Sequence, residues 1–311
     1  MLLDCLAGHS MLYGFPGETK VLPYFIDKEV QYGDLADDRN LRRLWQDLKA
    51  AITDRDLPGC GMVPTSTGSV DRPRSAAAIF DRIMLALAEE EGKSIWCEKT
   101  PMHVHHIGRL AKEFPRAKFI HVIRDGRDCA ASFHRRWQFD PVRTAYRWRC
   151  AVQAGRAQGA ALGSRYHEVR YEDVTTAPEE HFQEICAFLG VPFEETILKP
   201  ARLRPKITGS SAEQVEPNAR RAEQYFSRRT FRRIEAVAGG SLSEFGYDTF
   251  YSAQDQDPSW VYLRWTELLD DFRRLRGVAK TARTMRKRTT GWSYFSRRLT
   301  GALKQKRSLK M

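Results

Sequence analysis

Apolar residues recur at helical spacing in two stretches of the N-terminal half. Leu41, Leu44, Trp45 and Leu48 stand three and four apart within the polar residues 33–57, and Ala76, Ile79, Phe80, Ile83, Met84 and Leu87 repeat the pattern before Gly92. Each predicts an amphipathic helix, the second stopped by its glycine. Leu2, Leu3 and Leu6 read as the latter part of a further helix that Gly8 closes. "FPGETKVLPYF" (15–25) then reads as a loop punctuated by Pro16 and Gly17, and residues 58–74, rich in Gly, Pro, Ser and Thr, as another. Three short runs look different. Residues 94–97, the stretch Phe119, Ile120, Val122 and Ile123, and residues 166–171 have the form of strands covered on both faces. A helix is predicted after each: one with Pro101 at its first position, one N-capped by Asp128 after a turn at Gly126, and one from Pro178 to Gly190 that packs with Phe182, Ile185, Cys186 and Leu189.

Strands alternating with helices predict an α/β fold. "SIWCEKTPMHVHHIGRLAKEFPRAKFIHVIRD" reads as one right-handed βαβ unit, which sets the ends of its two strands, with Lys99 and Arg124, on one edge of a parallel sheet. The strand ending at Tyr171 adds a third end to that edge. Ligands of open α/β sheets bind beyond the carboxyl ends of the strands. Arg124 offers a planar fork for a phosphate there, and Ser132, eight residues on, a hydroxyl from the following helix. From this stretch alone the competing reading, Arg124 and Asp125 as surface charges of a connecting loop, stays open.

The net charge of +12 suggests nucleic acid until it is located. Residues from Ser259 onward hold 15 Lys/Arg and 3 Asp/Glu, so the preceding 258 residues, with 36 of each, are neutral. A basic helical extension over 259–311 is therefore expected beside a main domain of residues 1–250, docked through Trp260, Leu263, Leu268, Leu269, Phe272 and Leu275. Its charge predicts salt-sensitive contact with an anionic surface. The six scattered cysteines form no C-x-x-C pair, which suits a reducing compartment, and neither a membrane span nor a signal peptide is legible; a cytoplasmic protein is expected. His103, His105 and His106 lack a cysteine or carboxylate at ligand spacing, so no metal is expected. Trp137, Trp148 and Arg147 read as a helical core face, with part of the acceptor cleft as the alternative.

With these residues in place the chain resembles the sulfotransferase family. "FIHVIRDGRDCAASF" is similar to the family's 3′-phosphate motif, with Arg124 and Ser132 on its phosphate-binding positions. "WCEKTP" resembles the Lys-Thr-Pro motif, and "VRYEDV" followed by "AFLGVPF" the segment that sets a tyrosine, Tyr171, beside the nucleotide. "GETKVLP" and "KITGSSAEQVEPN" are more similar to the tyrosyl-protein sulfotransferase branch and its bacterial relatives. The resemblance implies a three-layer parallel sheet of the nucleotide-kinase-like type. It implies transfer of a sulfuryl group from 3′-phosphoadenosine 5′-phosphosulfate (PAPS) to a hydroxyl of a protein, carbohydrate or small metabolite, without a metal. It also implies roles: Glu18 as the base, Lys99 neutralising the transferring group, and Ser211, or Ser210 by a one-residue ambiguity, on the leaving side.

Residues 1–20 contain no Pro-Arg-Ser-Gly-Thr-type loop for the 5′-phosphosulfate. The expectation is that the reading frame upstream of Met1 continues into that strand and loop. An inactive scaffold that binds anions or lipid is the alternative. A nucleotide kinase of related fold is disfavoured by the lack of a G-x-x-x-x-G-K-[ST] sequence.

Overall fold

The computed structural model describes residues 1–53, 74–199 and 221–286, with only the backbone given over 274–286. In chain order the elements are α1 (Leu2–Leu6), β1 (Leu12–Gly14), α2 (Leu22–Lys28), α3 (Asp38–Thr53), α4 (Ala76–Glu90), β2 (Ile95–Cys97), α5 (Ile107–Glu113), β3 (Phe119–Ile123), α6 (Gly126–Trp137), α7 (Pro141–Gly159), β4 (Tyr166–Arg170), α8 (Tyr171–Thr176), α9 (Pro178–Leu189), α10 (Arg221–Tyr225), α11 (Arg228–Glu244) and α12 (Trp260–Arg286). The helices read from spacing are present. Ser75 caps α4 by accepting a hydrogen bond from Ala78 N, and Gly190, at φ +79°, ends α9. Pro101 opens a 3₁₀ turn, Pro101–His106, ahead of α5.

The described residues form two compact units, one built from 1–124 and 150–199, the other from 125–149 and 221–286. In the first, all strand pairing is parallel, as expected of an α/β chain, but it falls into two separate two-stranded sheets, β1–β2 and β3–β4. This corrects the single sheet edge expected for Lys99, Arg124 and Tyr171. The partner of β2 is β1, a three-residue strand inside "MLYGFPG", and it takes the edge that β3 was expected to occupy. The stretch read as one loop is divided as well, since Leu22–Lys28 is helical with Pro23 in its first turn. Leu12, Ile95, Cys97, Ile120 and Val169 pack in one apolar cluster with Phe182, Ile185 and Cys186 of α9, so both strand pairs share a core. α3 and α4 close a second cluster through Leu44, Leu48, Ile79, Phe80, Ile83 and Met84.

The second unit explains the charged run after β3. The N-cap of α6 is Asp125, which accepts from Arg127 N, and Asp128 instead accepts from Ala222 N at 2.8 Å. Arg127 is buried: its Nη2 pairs with Asp125 at 2.7 Å and its Nη1 with Glu235 at 2.6 Å. Glu235, fully buried, also accepts from Phe250 N and Tyr251 N. Gly126 lies in the first turn of α6, where a Cβ would stand 2.5 Å from Trp148 Cδ2; close packing, rather than the expected turn, requires a glycine there. Trp148 is buried as read, whereas Trp137 and Arg147 are exposed.

Candidate functional site

The parallel register Gly14↔Cys97 brings the chain out of β1 and β2 side by side, and Phe15 N extends the ladder to Cys97 O at 2.9 Å. Four residues past Gly14 comes Glu18, and two past Cys97 comes Lys99. Lys99 Nζ donates to Glu18 Oε1 at 3.0 Å, and Lys20 Nζ lies 3.0 Å from Glu18 Oε2. Burial works to raise the Glu18 carboxyl, but the two ammonium groups outweigh it and hold it below the ordinary carboxylate value. The side chain of Lys99 is 51% exposed, so its ammonium is open to a ligand while neutralising Glu18.

Beneath this pair sits a residue that sequence reasoning passed over. Glu98 Oε1 accepts from Thr19 N at 3.0 Å, from Thr19 Oγ1 at 3.0 Å and from Thr100 Oγ1 at 2.5 Å, while its Oε2 lies 3.1 Å from His103 Nδ1. Lys20 N adds a bond to Thr100 Oγ1 at 3.3 Å. The β1–α2 loop is thereby strapped to the end of β2, and Lys20 is held at φ +56°, a left-handed conformation that a residue with a Cβ adopts only when its surroundings impose it. Burial opposes ionisation of Glu98, but the hydrogen bonds from His103, Thr100 and Thr19 prevail and keep its carboxyl below the ordinary value. His103 thus has a carboxylate partner five residues back in "EKTPMH", a pairing not read from the sequence. Among the described residues no group of three or more His, Cys, Asp or Glu is arranged to hold a metal.

A second strand end lies in the same unit. Register Ile123↔Arg170 makes Arg124 and Tyr171 successors of paired residues, and the Arg124 guanidinium sits 4.7 Å from the centroid of the Tyr171 ring. The aromatic ring lies beside the guanidinium fork. Thus Glu18 and Lys99 meet at one strand pair, and Arg124 and Tyr171 at the other. Ser132 lies in the second turn of α6, in the other compact unit. Ser210 and Ser211 lie outside the described residues.

The family model described as "Sulfotransferase family" matches residues 1–195. Among curated proteins, the protein-tyrosine sulfotransferase 1 of Danio rerio is 31% identical over 127 residues, 39% of this chain and 36% of its own length. The protein-tyrosine sulfotransferase 2 of Gallus gallus is 29% identical over 128 residues, 39% of this chain and 34% of its own length. The chain thus spans about a third of the curated relatives it matches. Among solved structures, the sulfotransferase domain from the Synechococcus PCC 7002 olefin synthase superposes with a TM-score of 0.50 at 22% identity, over 80% of this chain and 90% of that one; this likeness speaks to the fold.

Proposed function

Because the chain belongs to the sulfotransferase family, we propose that it moves a sulfuryl group from PAPS to a hydroxyl, and that the acceptor is a tyrosine of a protein or peptide. The single observation that carries this reading is the Glu18–Lys99 pair, a carboxylate and a half-exposed ammonium in contact at the end of a parallel strand pair. The curated relatives support tyrosine as the acceptor class, since each is described as a protein-tyrosine sulfotransferase.

The donor is a polyanion, and the residues present suit it. Arg124, 4.7 Å from the centroid of the Tyr171 ring, would grip the 3′-phosphate in charge-assisted hydrogen bonds; the phosphate-binding hydroxyl assigned to Ser132 rests on the motif resemblance alone. Lys99 would meet the transferring sulfuryl group. When bound, PAPS supplies an activated sulfur whose leaving group is a phosphate. The acceptor oxygen forms its bond to sulfur as the bond from sulfur to the phosphate oxygen breaks, and the electron pair leaves on 3′-phosphoadenosine 5′-phosphate. The proton of the hydroxyl passes to Glu18. In the absence of substrate Lys99 weakens Glu18 as a base. Drawing Lys99 toward the anionic sulfuryl group would loosen that pair and raise the basicity of Glu18 as the proton begins to move. Ser211 would assist the leaving side, a role that rests on the motif resemblance alone.

The test is incubation with sulfur-labelled PAPS and three acceptor classes: tyrosine peptides, oligosaccharides and small phenols. Label in the tyrosine peptides is the expected result. Label confined to another class would replace the acceptor, and label in none would reject the function.

A further inference from the structure

We propose that the outward face of α12 is a docking surface for an anionic lipid bilayer, on which the helix lies flat. The rotation of the helix is set by its polar contacts within the second unit. Tyr262 Oη donates to Asp140 Oδ1 at 2.8 Å, Asp270 accepts from Arg143 Nη2 at 2.7 Å and from Asp140 N at 3.0 Å, and Arg273 Nη1 donates to Gln138 O at 3.0 Å. Thr266 and Asp270 are buried on that side. At about 100° per residue, Val261, Trp265, Leu268 and Phe272 then fall within a narrow arc on the far side. They are 69, 62, 59 and 55% exposed, and Trp260, near the start of the helix, is 73% exposed. This reverses part of the sequence expectation, in which Trp260, Leu268 and Phe272 docked inward; the contacts that hold the helix are made by polar groups interspersed between them.

A stripe of a tryptophan, a phenylalanine, a leucine and a valine in water, with a second exposed tryptophan at the helix start, forfeits hydrophobic stabilisation, so a covering partner is favoured. Charge selects which one. Residues 259–311 carry 15 Lys/Arg and 3 Asp/Glu, and every one of those acids stands at or before Asp271. Of the three, Asp270 is buried in its ion pair and Glu267 is paired with Arg264 at 2.7 Å. A second copy of this helix would bring a like-charged segment alongside, which repels. Nucleic acid would neutralise the arginines but offers no apolar layer for Val261 and Leu268. A bilayer with acidic headgroups satisfies both features: aromatic and aliphatic side chains enter the headgroup boundary while Lys and Arg meet the anionic lipids. Among the described residues no helix is long and apolar enough to cross a membrane, so the mode inferred is lying on the surface.

The experiment uses the full chain with vesicles of phosphatidylcholine alone or with about 30 mol % phosphatidylserine, read by co-sedimentation and tryptophan emission. Binding to the anionic vesicles, a blue-shifted emission and release by raised salt are expected. The double substitution Trp265→Glu/Leu268→Glu, at exposed positions, should leave the thermal unfolding temperature unchanged and weaken binding about tenfold or more, from the apolar area withdrawn. Replacing Arg283, Arg286, Lys287 and Arg288 by Gln should weaken it independently by about tenfold or more. Failure to bind anionic vesicles, equal binding to neutral ones, binding that survives both sets of substitutions, or a dimer in sedimentation that Trp265→Glu/Leu268→Glu dissolves would each overturn the proposal.

Discussion

Glu18 and Lys99 are joined across the ends of two parallel strands, with Lys99 Nζ 3.0 Å from Glu18 Oε1. Neither residue is placed by its own side chain. The register of β1 against β2 sets them opposite each other, and Glu98 ties the loop that carries Glu18 to the strand that carries Lys99.

That strap makes Glu98 a positioning residue whose removal should be felt twice. Glu98→Ala leaves Thr19 N, Thr100 Oγ1 and His103 without their shared acceptor, and each buried donor left unsatisfied costs about 1–3 kcal/mol of stability. Glu98→Gln keeps one acceptor oxygen and should cost less. If the strap positions Glu18, Glu98→Gln should also lower turnover while leaving nucleotide affinity unchanged. Urea unfolding and steady-state kinetics on both variants check this; equal turnover in Glu98→Gln and the wild type would reduce Glu98 to a purely structural part.

Acid should act through the same carboxylates. Glu18 and Glu98 both have folded-state values held below the ordinary 4.5, so each contributes stability that is fully present above that value and lost as the pH falls through its folded value. The unfolding free energy should therefore decline as the pH is lowered below about 5, and more steeply than in Glu98→Gln, which has one such group fewer. Parallel acid profiles for the two proteins would contradict the assignment.

Arg124→Ala should weaken binding of 3′-phosphoadenosine 5′-phosphate by about 2–4 kcal/mol, the worth of charge-assisted hydrogen bonds to a phosphate. Tyr171→Phe keeps the aromatic face under the guanidinium and should change little, whereas Tyr171→Ala removes it and should cost about 0.5–2 kcal/mol of affinity. Calorimetric titration separates the cases, and identical losses for the two tyrosine variants would show that the ring does not act as a platform for Arg124.

Gly126→Ala places a methyl group 2.5 Å from Trp148 Cδ2 and 2.6 Å from Cε3, against a ring that is itself buried. Overpacking of this kind costs about 1–3 kcal/mol, read as a lowered denaturant midpoint with an unchanged slope. An unchanged midpoint would mean that the tryptophan yields freely.

Much of this architecture was legible in the chain. The amphipathic spacing of α3 and α4 and the Pro178 to Gly190 limits of α9 each follow from a local rule, and the structure follows it; the apolar run of β3 is a strand, but Val122 is exposed, so it is not covered on both faces as expected. β1 was not legible, because three residues are too few to show a period and Pro16 and Gly17 mark the stretch as a turn. Missing β1 misassigned the partner of β2, and so the expected single sheet edge. Glu98 was hidden for a related reason: its partners Thr19 and His103 come together only when loop and strand end do. The pairing of Arg127 with Glu235 spans 108 residues and has no local signature, so nothing in "RDGRD" marked Arg127 as a buried anchor. On α12 the apolar residues were visible, but their facing depends on Asp140 and Arg143, which lie far off in sequence.

We propose the Glu18–Lys99 pair as the centre of sulfuryl transfer. It is tested most directly by measuring, on Glu18→Gln and Lys99→Ala, both the affinity for 3′-phosphoadenosine 5′-phosphate and the rate of labelled sulfuryl transfer from PAPS to the acceptor found for the wild type. Transfer should fall about 10²–10⁴-fold in Glu18→Gln, with nucleotide affinity nearly unchanged, as expected for loss of a general base. Lys99→Ala should likewise lose far more turnover than affinity. Variants that transfer at the wild-type rate, or that lose only nucleotide affinity, would contradict it.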